Sequence, residues 1–233
     1  MMKKINFAIL NFPGSNCERD CFYIVSKILR QNCKIIWHNE FSISKVDCII
    51  VPGGFSYGDY LRTGSIASQS RISNALIKFA NQGGTVIGIC NGFQILTELK
   101  LLPGTLIRNT NLKFICKDIN LKVNKNSRFT NLYNNNEVIR IPIAHAEGNY
   151  YADKKTLKKL RDNNQIIFSY CNENGDITNE SNPNGSLLNI AGITNKKGNV
   201  VGLMPHPERV SEKVFNNTDG IKFFKSVINY HNY

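Results

Sequence analysis

The first half of the chain alternates short apolar runs with longer stretches in which apolar residues recur every three or four positions. Ile5–Leu10 is a compact run stopped by Pro13-Gly14, which predicts a strand. Cys21, Ile24, Val25, Ile28 and Leu29 then fall on one face of a helix that Ser15 or Asn16 is placed to cap. Lys34–His38 and Cys48–Val51 read as the next strands, and this strand–helix–strand rhythm predicts a parallel α/β sheet. Ile66–Gln82 reads as a helix. Thr85–Ile89 is a β-branched run bounded by Gly83-Gly84 and reads as a buried strand. Phe93, Ile95, Leu96 and Leu99 follow largely at helical spacing until Leu102-Pro103-Gly104 ends the helix.

From Thr105 to Val123 the pattern is strand-like, and the polar, Asn-rich Lys122–Asn136 reads as a surface hairpin or loop. Glu137–Ile143 predicts a strand, Thr156–Arg161 a short basic helix, and Gln165–Tyr170 another strand. Asn172–Ser186 is a long Asn/Gly/Pro loop, open to motion or to contact with a partner. Leu187–Ile193 and Asn199–Met204 are the closing strands, and Ile221, Phe224, Val227 and Ile228 mark a terminal amphipathic helix that covers the sheet. No repeat and no linker divides the chain, so one domain is expected over residues 1–233.

Composition adds exclusions. With 233 residues, 42% of them hydrophobic, the chain can bury a full core. No run approaches membrane-spanning length, and Met1-Met2-Lys3-Lys4 leads into a strand rather than an export signal. Seven cysteines, an odd number without a compact framework, point to a reducing cytoplasm. The net charge of +12 permits nucleic-acid binding, but the basic residues are scattered and form no aromatic-interleaved stripe. An acidic protein surface or a phosphate-bearing ligand nearby suits that charge better than nucleic acid.

The candidate chemistry is concentrated where strands end. Cys90 sits at the switch from strand to helix with Gly88 and Gly92 two residues to either side, the cysteine version of a nucleophile elbow. The unpaired N–H groups of the first helical turn surround such a sulfur with positive potential. Pro52-Gly53-Gly54-Phe55 opens a glycine-rich loop after another strand, and paired glycines leave backbone N–H groups bare for an oxyanion or anion. His145 and Glu147 beside Gly148 stand at a strand end, where they can line a pocket. Pro205 and Pro207 are expected to hold their segment extended, so that His206 and Glu208 share a face and the carboxylate orients the imidazole. Cys17 and Cys21, one helical turn apart, read as buried thiols because nothing nearby completes a metal site. His206 and Glu208 likewise lack an evident third ligand. The phosphate-binding pattern G-x-x-x-x-G-K-[ST] occurs nowhere in the chain.

Gly88-Ile89-Cys90-Asn91-Gly92-Phe93-Gln94 together with Pro205-His206-Pro207-Glu208-Arg209 resembles the class I glutamine amidotransferases. Phe12-Pro13-Gly14-Ser15-Asn16-Cys17, Pro52 to Arg62 and Asn182-Pro183-Asn184-Gly185-Ser186 narrow the likeness to the glutaminase subunits of phosphoribosylformylglycinamidine synthase, in their short-chain, multi-subunit form. The resemblance covers essentially the whole chain. It implies the flavodoxin-like fold of that class, with a mostly parallel central sheet and helices on both faces. It also implies hydrolysis of glutamine to glutamate and ammonia through a thioester on Cys90, with His206 as proton carrier and Glu208 orienting it.

The oxyanion hole then falls to the backbone N–H groups of Gly54 and Asn91, and glutamine contacts fall to Gly53, Phe55, Gln94 and His145. No metal or cofactor is implied in this chain; ATP and Mg²⁺ belong to a synthetase partner that converts formylglycinamide ribonucleotide to the amidine in purine biosynthesis. A small accessory subunit is the other implied partner, with no nucleic acid and no membrane. Two positions depart from the pattern: Ala146 stands where glycine is expected, and Thr63 where cysteine is frequent. The rival readings are a stand-alone cysteine hydrolase or peptidase on the same elbow, and a non-catalytic regulatory subunit, which the intact Cys90, His206 and Glu208 argue against.

Overall fold

A computed structural model describes residues 3–232; Met1 and Met2, read above as part of the lead-in to the first strand, lie outside it. Its strands in chain order are β1 (Asn6–Asn11), β2 (Asn32–Trp37), β3 (Cys48–Val51), β4 (Thr85–Ile89), β5 (Thr105–Ile107), β6 (Ile115–Val123), β7 (Val138–His145), β8 (Asn149–Tyr151), β9 (Ile166–Cys171), β10 (Ile190–Thr194) and β11 (Val200–Leu203). The helices are α1 (Glu18–Tyr23), which widens into a π turn over Ile24–Ile28, α2 (Ser65–Ser68), α3 (Arg71–Asn81), α4 (Asn91–Glu98), α5 (Lys154–Asp162) and α6 (Ile221–Asn232).

Nine strands form one sheet in the order β2-β1-β3-β4-β11-β10-β9-β6-β7, and β5 pairs with β8 in a small antiparallel ribbon. From β2 to β11 every pair is parallel, as the strand–helix rhythm predicts; from β11 to β7 every pair is antiparallel. Only β6 and β10 therefore run against the others, and the C-terminal ends of the remaining seven strands point the same way. The chain moves outward from β1 to β2 but inward from β3 to β4 and on to β11. Right-handed crossovers accordingly put α1 on one face of the sheet and α3 on the other. β3, β4, β10 and β11 are buried at every residue, which is why they read as continuous apolar runs rather than alternating ones. β6 and β7, covered more fully on one side, alternate instead.

The sheet does not lie flat. Four interstrand steps separate β11 from β7, about 19 Å in a flat sheet. Yet the His206 N–H, three residues beyond β11, donates to Pro142 O in β7 at 2.9 Å. The antiparallel half thus curls back over the end of the parallel half and brings the end of β7 to the end of β4.

Four local expectations change. Neither Ser15 nor Asn16 caps α1, whose N-cap is Cys17; Ser15 Oγ instead accepts the Phe12 N–H at 3.2 Å within its own turn. The Ile66–Gln82 helix is broken at Gln69-Ser70, where Ser70 is extended and its hydroxyl donates to Ala67 O, competing with helical continuation. β8 has no counterpart in the sequence pattern, because three residues carry no usable period. The Asn172–Ser186 loop is pinned rather than free: Asn184 is fully buried and donates to Gly148 O at 2.8 Å, and Ser186 Oγ accepts the Tyr150 N–H at 2.9 Å. That loop is a brace under the His145–Tyr151 segment.

Candidate active site

Cys90 is held at φ 50°, ψ −106°, a strained bend for a side-chain-bearing residue, and α4 starts at the next position. The bend survives because both flanking positions lack side chains. A Cβ on Gly92 would lie 1.9 Å from Val51 O of β3, and one on Gly88 2.8 Å from the backbone of Gly92. The amides of Phe93 and Gln94 both turn back to Cys90 O, at 2.9 and 3.2 Å. The N–H of Asn91, ahead of them in the turn, has no acceptor among the described residues, and neither has that of Gly54. Asn91 ties these two donors into one unit, since its Oδ1 accepts the Ser56 N–H at 3.2 Å. The Phe12–Cys17 loop clamps the same segment from behind: Asn16 and Cys17 N–H donate to Gly53 O, and Phe55 N–H donates to Gly14 O.

His206 and Glu208 come to the sulfur from β11. A Cβ on Gly53 would stand 2.8 Å from His206 Cε1 and 3.5 Å from Cys90 Cβ, so the imidazole and the nucleophile share one small volume and Gly53 keeps it clear. The prolines act differently from expectation: Pro207–Val210 is a 3-10 turn with Pro207 at its first position, not an extended segment. Within that turn Glu208 folds back, and His206 Nδ1 donates to its Oε1 at 2.6 Å. Both side chains are buried, and the pairing leaves Nε2 for proton exchange. Burial disfavours the imidazolium, but the Glu208 carboxylate and the Cys90 sulfur outweigh it and hold His206 well above the usual histidine value.

A cavity of about 60 Å³ opens beside Cys90, walled by Gly54, Phe55, Gln94, His145 and Glu147 among others. Four of the expected substrate and oxyanion positions thus line it, whereas Gly53 and Asn91 shape it from behind. Gln94 is already engaged, its Nε2 donating to Glu147 O at 2.7 Å and its Oε1 accepting from Asn91 Nδ2 at 2.9 Å. His145 is neutral: burial and the nearby His206 push it down to about 4, so it does not compete for the proton that His206 carries. Thr63, at the position where cysteine is frequent, donates its hydroxyl to Glu147 Oε2 at 2.9 Å. Ala146 keeps its carbonyl on the Asn109 N–H at 2.9 Å and leaves that end of the cavity intact.

Cys17 had no place in the sequence-based site, yet its sulfur lies 3.8 Å from His206 Nδ1 and accepts a hydrogen bond from Arg209 Nη2 at 3.2 Å. Burial pushes this thiol up, so it is an S–H group donating to Asn16 Oδ1 at 3.0 Å. The donor atoms of Cys17, His206 and Glu208 lie within 4.8 Å of one another, close enough to hold a metal ion. The Arg209 cation against that sulfur makes the cluster a hydrogen-bonded brace for the histidine instead. The signal available beforehand was positional: Cys17 follows β1 on the edge where every other site segment ends.

Comparison with known proteins agrees with this geometry. Residues 4–230 match the family described as the CobB/CobQ-like glutamine amidotransferase domain. The phosphoribosylformylglycinamidine synthase subunit PurQ of Moorella thermoacetica is 52% identical over 97% of this chain and 96% of its own length. That of Synechocystis is 54% identical over 95% and 99%. A solved structure of PurLQS from Thermotoga maritima contains a chain that superposes with a TM-score of 0.85 at 40% identity, covering 98% of this chain and all of that one. The chain belongs to the glutamine amidotransferases and, among them, to the PurQ family.

Proposed function

We infer that this chain is the glutaminase subunit of phosphoribosylformylglycinamidine synthase, hydrolysing glutamine and passing ammonia to a synthetase partner. The observation that carries the reading is the grouping of His206, Glu208 and two unengaged backbone N–H groups around Cys90, whose sulfur stands at the wall of one cavity. The relatives' names, subunit PurQ of phosphoribosylformylglycinamidine synthase and the PurLQS assembly, support a synthetase and an accessory partner. In this reading the synthetase converts formylglycinamide ribonucleotide to its amidine with ATP and Mg²⁺, and this chain works beside it in the cytoplasm as a single catalytic domain. Among the described residues no helix is long and apolar enough to cross a membrane.

The chemistry starts from the Cys90 thiolate and the His206 imidazolium, the pair that Glu208 favours. The sulfur attacks the side-chain amide carbon, and the N–H groups of Gly54 and Asn91 receive the oxyanion. His206 gives its proton to the departing nitrogen, which leaves as ammonia, and the acyl group stays on Cys90 as a γ-glutamyl thioester. Neutral His206 then takes a proton from water, hydroxide attacks the thioester, and glutamate leaves with thiolate and imidazolium restored. A stand-alone hydrolase would need no partner, and a regulatory subunit would need none of these groups.

The test is Cys90→Ala in the assembled complex. Glutamine-dependent amidine synthesis should fall by on the order of 10⁶ in its hydrolytic step, while synthesis from added ammonia persists. Loss of both would mean that Cys90 serves the complex in some way other than hydrolysis.

A further inference from the structure

One acidic side chain at the cavity wall has no role in the chemistry above. Asp59 lines the cavity that holds the Cys90 sulfur, and its Oδ1 is buried with no hydrogen-bond partner among the described residues. A buried carboxylate oxygen left unpaired is costly, so a protein that keeps one at a binding cavity has a ligand group to meet it. The backbone around it is also strained: Tyr57, Asp59 and Leu61 all hold positive φ, near 54°, 57° and 68°. Each such residue costs on the order of 1 kcal/mol, which persists only where the surroundings dictate it.

The charge around Asp59 is lopsided. The cavity wall carries two carboxylates, Asp59 and Glu147, and no lysine or arginine. Glu147 is partly matched by the Thr63 hydroxyl at 2.9 Å and by Arg108, 3.7 Å away and well exposed. Asp59 has no such match, and burial together with the Glu147 charge raises its carboxyl to about 6. His145, the other titratable group on the wall, is neutral and cannot balance either charge. The site is therefore short of one positive charge.

Size says where that charge belongs. A cavity of 60 Å³ has room for about five water-sized groups. That is the bulk of a two-methylene chain ending in a carboxamide, with the amide at Cys90 and the amino-acid end left at the wall. The geometry points to Asp59 as the residue that receives the α-ammonium of the substrate, with Glu147 as a second negative neighbour. This inference rests on the glutaminase reading and deepens it, because Asp59 then selects an α-amino acid amide over a simple carboxamide of the same length. The carboxylate touches the substrate but not the reacting atoms.

The experiment compares L-glutamine with 4-carbamoylbutanoate, the same molecule without its amino group, on the assembled complex. Protection of Cys90 from alkylation reports binding without turnover. In the unaltered complex glutamine should protect at concentrations about 10–100-fold lower than the analogue, the worth of one charge-assisted hydrogen bond. In Asp59→Asn, which keeps the shape, the two should protect alike, through weaker glutamine binding and little change for the analogue. Steady-state kinetics should show the same loss for glutamine in KM more than in kcat, and Asp59→Glu should regain part of it. Equal losses for both ligands, or none, would overturn the assignment and leave the glutaminase reading standing. Failure of glutamine to protect Cys90 in the unaltered complex would instead sink the glutaminase reading.

Discussion

Two loops leave adjacent parallel strands at the same edge of the sheet and are built in opposite ways. The bend after β4 is enclosed: every residue from Asn91 to Thr97 is buried, and both flanking glycines touch backbone or core side chains at distances no Cβ tolerates. The loop after β3 is open: Phe55, Tyr60 and Leu61 are 44%, 74% and 90% exposed, and three of its side-chain-bearing residues hold left-handed backbone. The first holds the Cys90 sulfur in one orientation, the property that the proposed attack on glutamine requires. The second presents side chains and bare N–H groups to whatever enters. Strain exists in both, but close packing holds it in one, while the other relies on a clamp from the Phe12–Cys17 loop.

The contrast can be broken at its rigid side first. Glu208→Gln keeps the shape of the dyad and removes the charge that favours imidazolium; glutamine turnover should drop by on the order of 10⁴, as when a buried triad acid is amidated elsewhere. A loss below tenfold would show that His206 needs no orienting charge. Gly92→Ala forces a methyl against Val51 O, and the denaturant midpoint should fall by an amount corresponding to about 3 kcal/mol or more, or the chain should fail to accumulate. A stable variant would mean that α4 shifts easily and that the elbow is not enclosed as described. On the open side, Leu61→Gly removes a left-handed leucine that packs on almost nothing, and the stability of the isolated chain should stay level or rise by up to about 1 kcal/mol. Clear destabilisation would show that this loop is as tightly held as the elbow.

The same contrast governs what was readable in the sequence. The elbow declares itself because packing demands leave marks on residue type: two glycines at fixed offsets, an apolar strand, an apolar helix. The parallel half of the sheet is legible for the same reason. His206 and Glu208 were found by chemistry rather than by backbone, for the expected extended segment is a turn that reaches the same pairing by another path. What stayed hidden depends on curvature or on distance along the chain. Cys17 and His206 are 189 positions apart, and no period or spacing connects them. The return of β7 to the edge that holds Cys90 comes from sheet curl, and Asn184, though part of a stretch that carries the family resemblance, gives no sign in the sequence of being fully buried. Asp59 sat inside a stretch already marked as glycine-rich, but its importance lies in an unpaired oxygen that only side-chain positions reveal.

Which sulfur meets glutamine decides the mechanism, and seven free cysteines make that a real choice. Treating the assembled complex with a glutamine-mimicking electrophile and mapping the adduct by peptide mass measures it directly. One adduct is expected, on Cys90, prevented by excess glutamine, with the exposed Cys116 left unmodified. An adduct on Cys17 or Cys116 in place of Cys90, or labelling that glutamine does not suppress, would contradict it.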